Sequence, residues 1–174
     1  MQECELRAQL ERNHEAAFGW ALHCCNHHPA EAEEVLQTAY LKILDGRARF
    51  DGRASFRTWL FAVIRHTAAD ERRRQWLRYT GLVRYERLRP AAEARPSPSE
   101  GLERSQTQEA FRRALDALPR RQREVLHLVF YENLTVQEAA EVMGVSVGSA
   151  RQHYDRGKRR LRELMDPGEG DYER

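Results

Sequence analysis

The chain has 174 residues, 41% hydrophobic and 32% charged, with a net charge of +2, enough for one ordinary domain or for two small ones with thin cores. Three cysteines, two of them adjacent (Cys24 and Cys25), exclude a disulfide framework. No apolar run approaches the ~18–20 residues of a membrane span, and the charged start MQECELRAQLER is unlike a secretory signal, so a cytoplasmic protein without membrane contact of its own is expected.

Long polar–apolar periodic stretches with few β-branched runs predict an all-α chain. Residues 3–27 read as one amphipathic helix, with Leu6, Leu10, Ala17, Ala21 and Cys24 or Cys25 at helical spacing. Pro29 fits the first turn of the next helix, about 30–44, whose start is acidic (Glu31, Glu33, Glu34) and whose Val35, Leu36, Ala39, Ile43 and Leu44 should face a core. Gly46 ends it, and the irregular stretch 47–55 leads into a third long helix, 56–76, finishing in Glu71-Arg72-Arg73-Arg74. Charge is unevenly spread over these pieces. Residues 1–46 hold three basic against eight acidic side chains, and residues 47–90 hold twelve arginines against four acids. An acidic block followed by a basic one implies different partners for neighbouring surfaces.

Residues 77–104, with Pro90, Pro96 and Pro98 among serines and charges, read as a flexible linker. A second helical unit spans 105–165 in four pieces, 107–117, 119–131, 136–143 and 147–165, and a polar tail with two glycines follows at 166–174. The expected architecture is therefore two small helical domains, 1–76 and 105–165, joined by that linker.

Leu134–Leu164 has the form of a helix-turn-helix. Thr135 can cap a short helix with Glu138 at the capping-box position, Gly144 permits the tight turn, and Ser146 caps the second helix. Arg151, Gln152, Asp155 and Arg156 then share an outward face where a recognition helix meets base edges, with Lys158, Arg159, Arg160 and Arg162 further along for phosphates. Asn133 tolerates the left-handed backbone of a helix end. The helix-turn-helix alone also fits a two-domain regulator with a ligand-sensing or dimerising N-terminal half.

The segment LTVQEAAEVMGVSVGSARQHYDRGKRRLRELM resembles region 4 of bacterial RNA polymerase sigma factors of the extracytoplasmic-function (ECF) type. That resemblance implies −35 element contacts from Ser149, Arg151, Gln152, Asp155, Arg156 and Arg159, although Asp155 replaces a commoner aromatic or basic residue. AEEVLQTAYLKIL (32–44) resembles region 2.2, which docks on core RNA polymerase, and implies that role for Glu33, Glu34, Leu36, Gln37 and Tyr40; Thr38 stands where an acid is usual. FDGRASFRTWLFAVIRHTAADERRR (50–74) is similar to regions 2.3 and 2.4. It implies −10 contacts from Phe50, Arg53, Arg57, Arg65, His66 and Arg73, with a flipped base captured by the loop 50–55, and His66 standing where Asn is common. Arg72 and Arg74 could also track the duplex backbone, while Phe56, Trp59 and Leu60 are expected in the core.

The resemblance implies three partners: core RNA polymerase, promoter DNA and an anti-sigma factor. A helix-turn-helix regulator has no need for the 32–44 and 50–74 pair. No catalytic set stands out, so an enzyme is not expected, nor is any cofactor. His23-Cys24-Cys25-Asn26-His27-His28 offers metal-ligand types at a spacing that matches no standard zinc set, and no metal is expected there.

Overall fold

A computed structural model describes residues 3–83 and 106–165, in two compact units that fall within residues 1–99 and 100–174. The described residues are helical or irregular, without a strand. The expected all-α, two-unit architecture is what the structure shows.

The first unit contains α1 (Glu3–Arg12), α2 (His14–Cys24), α3 (Pro29–Leu44) and α4 (Phe56–Val83). The single helix expected over 3–27 is broken at Asn13, whose side-chain amide donates to the Gln9 carbonyl at 2.8 Å. The Gln9 carbonyl is shared with the Asn13 backbone N–H at 3.2 Å, and the Ala17 N–H still reaches the Asn13 carbonyl at 2.8 Å, so α1 and α2 follow each other across a single residue. The expected helix also stops at Cys24: Asn26 and His27 take left-handed backbone (φ 51° and 63°), and the His27 N–H returns to the Leu22 carbonyl at 2.8 Å. Helix ends commonly close this way. Pro29 occupies the first turn of α3, as its fixed φ favours.

The core of this unit forms where α2, α3 and α4 meet. Trp20 of α2 is fully buried and stacks on Phe61 of α4 at 5.9 Å between ring centroids. Its indole N–H donates to the Phe61 carbonyl at 3.0 Å, giving the buried donor its partner. Leu60 and Ile64 of α4 and Ala32, Val35, Leu36, Ala39 and Ile43 of α3 close around that pair. Leu44 is a correction: expected inside, it is exposed. Lys42 ties α3 to α4 through Thr67 Oγ1 at 3.2 Å and Asp70 at 3.3 Å. The Ser55 hydroxyl caps α4 by accepting from the Thr58 N–H at 3.1 Å. α4 passes its expected end at Trp76 and continues to Val83; the linker beyond it, and the tail after Met165, lie outside the described residues.

The second unit contains α5 (Gln106–Asp116), α6 (Arg120–Phe130), α7 (Val136–Met143) and α8 (Val147–Met165). Val125, Leu126 and Leu128 of α6 face Ala139, Ala140, Val142 and Met143 of α7 and Ala150 of α8, all buried. Together they form the three walls of a helix-turn-helix.

Candidate nucleic-acid interface

The helix-turn-helix is fixed by local chemistry at each joint. Asn133 bends the chain into α7 with φ 53°. The Glu138 N–H donates to Thr135 Oγ1 at 3.2 Å and the Thr135 N–H to Glu138 Oε2 at 2.8 Å, a complete capping box. Gly144 adopts φ 63°, the left-handed turn into α8. The Ser149 N–H then donates to Ser146 Oγ at 3.1 Å.

A further device holds this turn from behind. Glu124 of α6 is buried, its carboxylate taking Arg120 Nε at 3.0 Å and Arg121 Nη1 at 3.4 Å. The same Arg121 nitrogen donates to the Met143 carbonyl at 3.1 Å, at the end of α7. Gly157 of α8 lies buried against α6, where a Cβ would stand 3.1 Å from Leu126 Cδ1 and 3.2 Å from Gln122 Cβ. Sequence reasoning passed over both features, although the spacing of Arg120, Arg121 and Glu124 was a usable signal for ion pairs across one helical turn.

With α8 positioned so, Arg151, Gln152, Asp155, Arg156 and Arg159 are all exposed. Their spacing of four and eight residues puts them on one stripe of the helix. Ser149 belongs partly to the cap instead, its hydroxyl 2.9 Å from that of Ser146. Lys158 lies over the Tyr154 ring at 4.4 Å, and Tyr154 stacks on Phe130 at 5.9 Å. Arg160 pairs with Glu163 at 2.9 Å. These two cations are therefore already engaged, whereas the stripe from Arg151 to Arg159 faces water.

In the first unit the expected polymerase-docking residues divide. Glu33, Glu34 and Gln37 are exposed on α3, and the outward stripe they begin continues through Leu41 (56% exposed) and Leu44. Leu36 does not lie on that stripe. Expected to dock on polymerase, it is 4% exposed and packed inward in the first unit's core. Tyr40 is half-buried, with its hydroxyl 3.2 Å from His14 Nδ1, and burial raises its phenol above the usual tyrosine value. The leucines that do face out, Leu41 and Leu44, were not foreseen.

The −10 candidates divide in the same way. Phe50 forms a half-buried three-ring cluster with Phe56 (5.6 Å) and Trp59 (5.4 Å), so Phe56 and Trp59, expected in the core, stand at its edge. Arg53 is exposed beside Gly52, which takes φ 76° and has open space around its Cβ position. His66 and Arg73, seven residues apart on α4, are exposed on one stripe. Arg57 instead lays its guanidinium 5.3 Å from the Phe61 ring centroid, a cation–π contact with the core. Arg65 is only 9% exposed. Arg72 donates to the Cys24 carbonyl at 2.6 Å, joining α4 to the end of α2. Of these, Arg65 was expected at the −10 element and Arg72 as able to track the backbone; in this unit Arg65 is buried and Arg72 bridges α4 to α2.

The first three residues of the His/Cys segment are also taken up by packing, while Asn26 and His27 are exposed. His23 is buried and stacked on Trp20 at 5.2 Å, and Cys24 and Cys25 are buried. Burial, reinforced by Glu31 and opposed by Arg72, pushes the Cys25 thiol up to about 11. Among the described residues no group of three or more His, Cys, Asp or Glu side chains is arranged to hold a metal ion. No helix among them is long and apolar enough to cross a membrane.

Comparison with known proteins matches both units. Residues 10–78 match Sigma-70 region 2 and residues 114–163 match Sigma-70, region 4. The ECF RNA polymerase sigma factor SigF of Caulobacter vibrioides is 31% identical over 142 residues, covering 82% of this chain and 75% of that one. RNA polymerase sigma factor YlaC of Bacillus subtilis is 29% identical over 140 residues, covering 80% of each. In fold, the chain is similar to the sigma factor RpoE solved in complex with the anti-sigma factor NepR from Bartonella quintana, with a TM-score of 0.66 at 21% identity over 93% of this chain and 97% of that one. With a region 2 helical unit, a region 4 helix-turn-helix and relatives that match across most of its length, the chain belongs to the ECF family of RNA polymerase sigma factors.

Proposed function

We propose that the division of labour within this sigma factor follows the exposed stripes of three helices. The family's activity is to bind core RNA polymerase, recognise −35 and −10 promoter elements and direct initiation. In this chain the −35 element is read in the major groove by Arg151, Gln152 and Asp155 from the N-terminal half of α8, with Arg156 and Arg159 on flanking phosphates. Arginine forks suit guanine edges and phosphates, and an amide suits adenine. A carboxylate at Asp155 favours a cytosine amino group over a nearby phosphate. Ser149 holds the cap and supplies at most a phosphate contact from the helix start.

The −10 element is held by the first unit. Phe50, backed by Phe56 and Trp59, supplies an aromatic wall for an unstacked base, which offsets the cost of leaving the duplex. Arg53, His66 and Arg73 contact the strand and backbone around it. Core polymerase meets the α3 stripe of Glu33, Glu34, Gln37, Leu41 and Leu44, with acidic residues at one end and apolar ones at the other. No chemistry is asked of this chain: melting draws on binding energy shared with the polymerase, whose active site makes RNA. The protein works in the cytoplasm, where its polymerase is, and an anti-sigma factor holds it inactive, as the complex of its structural neighbour suggests.

The observation that carries this reading is the exposed Arg151–Arg159 stripe on a fully capped helix-turn-helix. Site-specific crosslinking in the holoenzyme–promoter complex tests it. A crosslinker at position 152 should label DNA at the −35 element and one at position 66 should label the −10 element. Labelling of neither element from either position would contradict the assignment.

A further inference from the structure

The stretch between α3 and α4 carries three exposed arginines, Arg47, Arg49 and Arg53, and each is fastened to the loop itself. Arg47 reaches the Asp45 carboxylate at 2.7 Å, and Arg49 Nε donates to the Gly46 carbonyl at 3.2 Å. Arg53 differs from these, because its partner also bends the chain. Asp51 Oδ1 accepts from the Arg53 backbone N–H at 3.1 Å, and Asp51 Oδ2 lies 3.4 Å from Arg53 Nε. Between the two, Gly52 takes φ 76°, backbone that side chains rarely adopt. One carboxylate thus closes the turn and holds the side chain at its far end.

Both sides of that turn are anchored. Before it, Phe50 packs on Phe56 and Trp59; after it, the Ser55 hydroxyl caps α4. Asp51, Gly52 and Arg53 are themselves exposed, so burial contributes little to where Arg53 projects and the turn sets it.

As a stabilising contact the pair is weak, since both side chains stand mostly in water. A carboxylate in a loop that meets phosphates also opposes binding by its charge. Its geometry offsets this. The contact to Asp51 is made through Nε, and the Arg53 side chain is 89% exposed, which leaves the terminal nitrogens of the fork in water. Those nitrogens are the ones that grip a phosphate. A long cation held in place before DNA arrives also loses less rotamer freedom on binding.

We propose that Asp51 is a positioning residue for the −10 strand: it closes the turn 51–53 and aims the Arg53 fork at a backbone phosphate beside the base held against Phe50. This rests on the reading of Phe50 and Arg53 as −10 contacts.

The test measures stable complex formation by core polymerase on a template whose −10 element is pre-opened by mismatches. The polymerase carries wild type, Asp51→Ala, Asp51→Asn, Arg53→Ala or the double variant Asp51→Ala with Arg53→Ala. Asp51→Ala should reduce complex formation about 3- to 10-fold, the scale of one lost hydrogen bond. Asp51→Asn keeps an oxygen for the Arg53 N–H and should recover part of that loss. The double variant should be no worse than Arg53→Ala alone, and all variants should unfold at the wild-type temperature. Binding by Asp51→Ala equal to or tighter than wild type, as relief of charge repulsion would give, overturns the proposal. So would no recovery with Asp51→Asn, losses that add in the double variant, or a lowered unfolding temperature. Wild-type binding by Arg53→Ala would instead remove the −10 reading on which the proposal stands.

Discussion

Gly157 and Leu126 hold the recognition helix against α6: a Cβ on Gly157 would lie 3.1 Å from Leu126 Cδ1, closer than ordinary packing allows. The missing side chain sets how near α8 approaches the helix behind it. That approach in turn sets how far the Arg151–Arg159 stripe projects. Gly157→Leu should cost about 1–3 kcal/mol through overpacking and weaken −35 binding although position 157 is buried against α6, off the Arg151–Arg159 stripe. Thermal unfolding and promoter binding of the full chain check this together. Unchanged values in both would show that α6 can give way.

Arg151 is exposed on the α8 stripe proposed to read the −35 element, away from the core. Arg151→Ala should therefore leave stability unchanged while costing about 1–3 kcal/mol of promoter affinity and relaxing preference at one base pair of the −35 element. Competition between promoters altered at single −35 positions measures it. A uniform loss across all of them would make Arg151 a phosphate contact.

Leu36 and Leu41 sit five residues apart on α3 and should behave oppositely. Leu36→Asp puts a carboxylate in a dry core and should unfold the first unit. Leu41→Asp, on the exposed stripe, should keep the unfolding midpoint and lose core polymerase binding. Native-gel assembly alongside thermal unfolding separates the two.

Cys25 offers a pH prediction with a fixed sign. Its thiol titrates at about 11 in the fold against 9.0 unperturbed, because burial disfavours the thiolate. Below pH 9 both folded and unfolded states are protonated and this contribution to stability is intact. Between pH 9 and about 11 the unfolded state releases the proton first, so stability falls as pH rises. At neutral pH, alkylation should modify exposed Cys4 and leave Cys24 and Cys25 until the unit unfolds. Rapid labelling of all three in the native protein would contradict this burial.

The helix-turn-helix was legible in the sequence because its determinants are local. Thr135 and Glu138 three residues apart, Gly144 at a left-handed turn and Ser146 at a cap each declare themselves within one helical turn. The first unit was less legible where packing decides. α3 carries apolar residues on both faces, and periodicity cannot say that Leu36 is covered while Leu41 and Leu44 are not. α4 holds arginines throughout; that Arg57 lies on the Phe61 ring, Arg72 reaches Cys24 and Arg65 is buried follows from what packs against each. The break at Asn13 is a local departure that keeps the backbone bonds from Asn13 to Gln9 (3.2 Å) and from Ala17 to Asn13 (2.8 Å), in a segment whose apolar spacing runs straight through it.

The most direct measurement is run-off transcription from a pool of promoter fragments by purified core polymerase, with and without this protein. Initiation that depends on the protein, from fragments sharing one −35 and one −10 element, is the predicted result. Sequence-specific DNA binding by the protein alone, with no dependent initiation, would contradict the account.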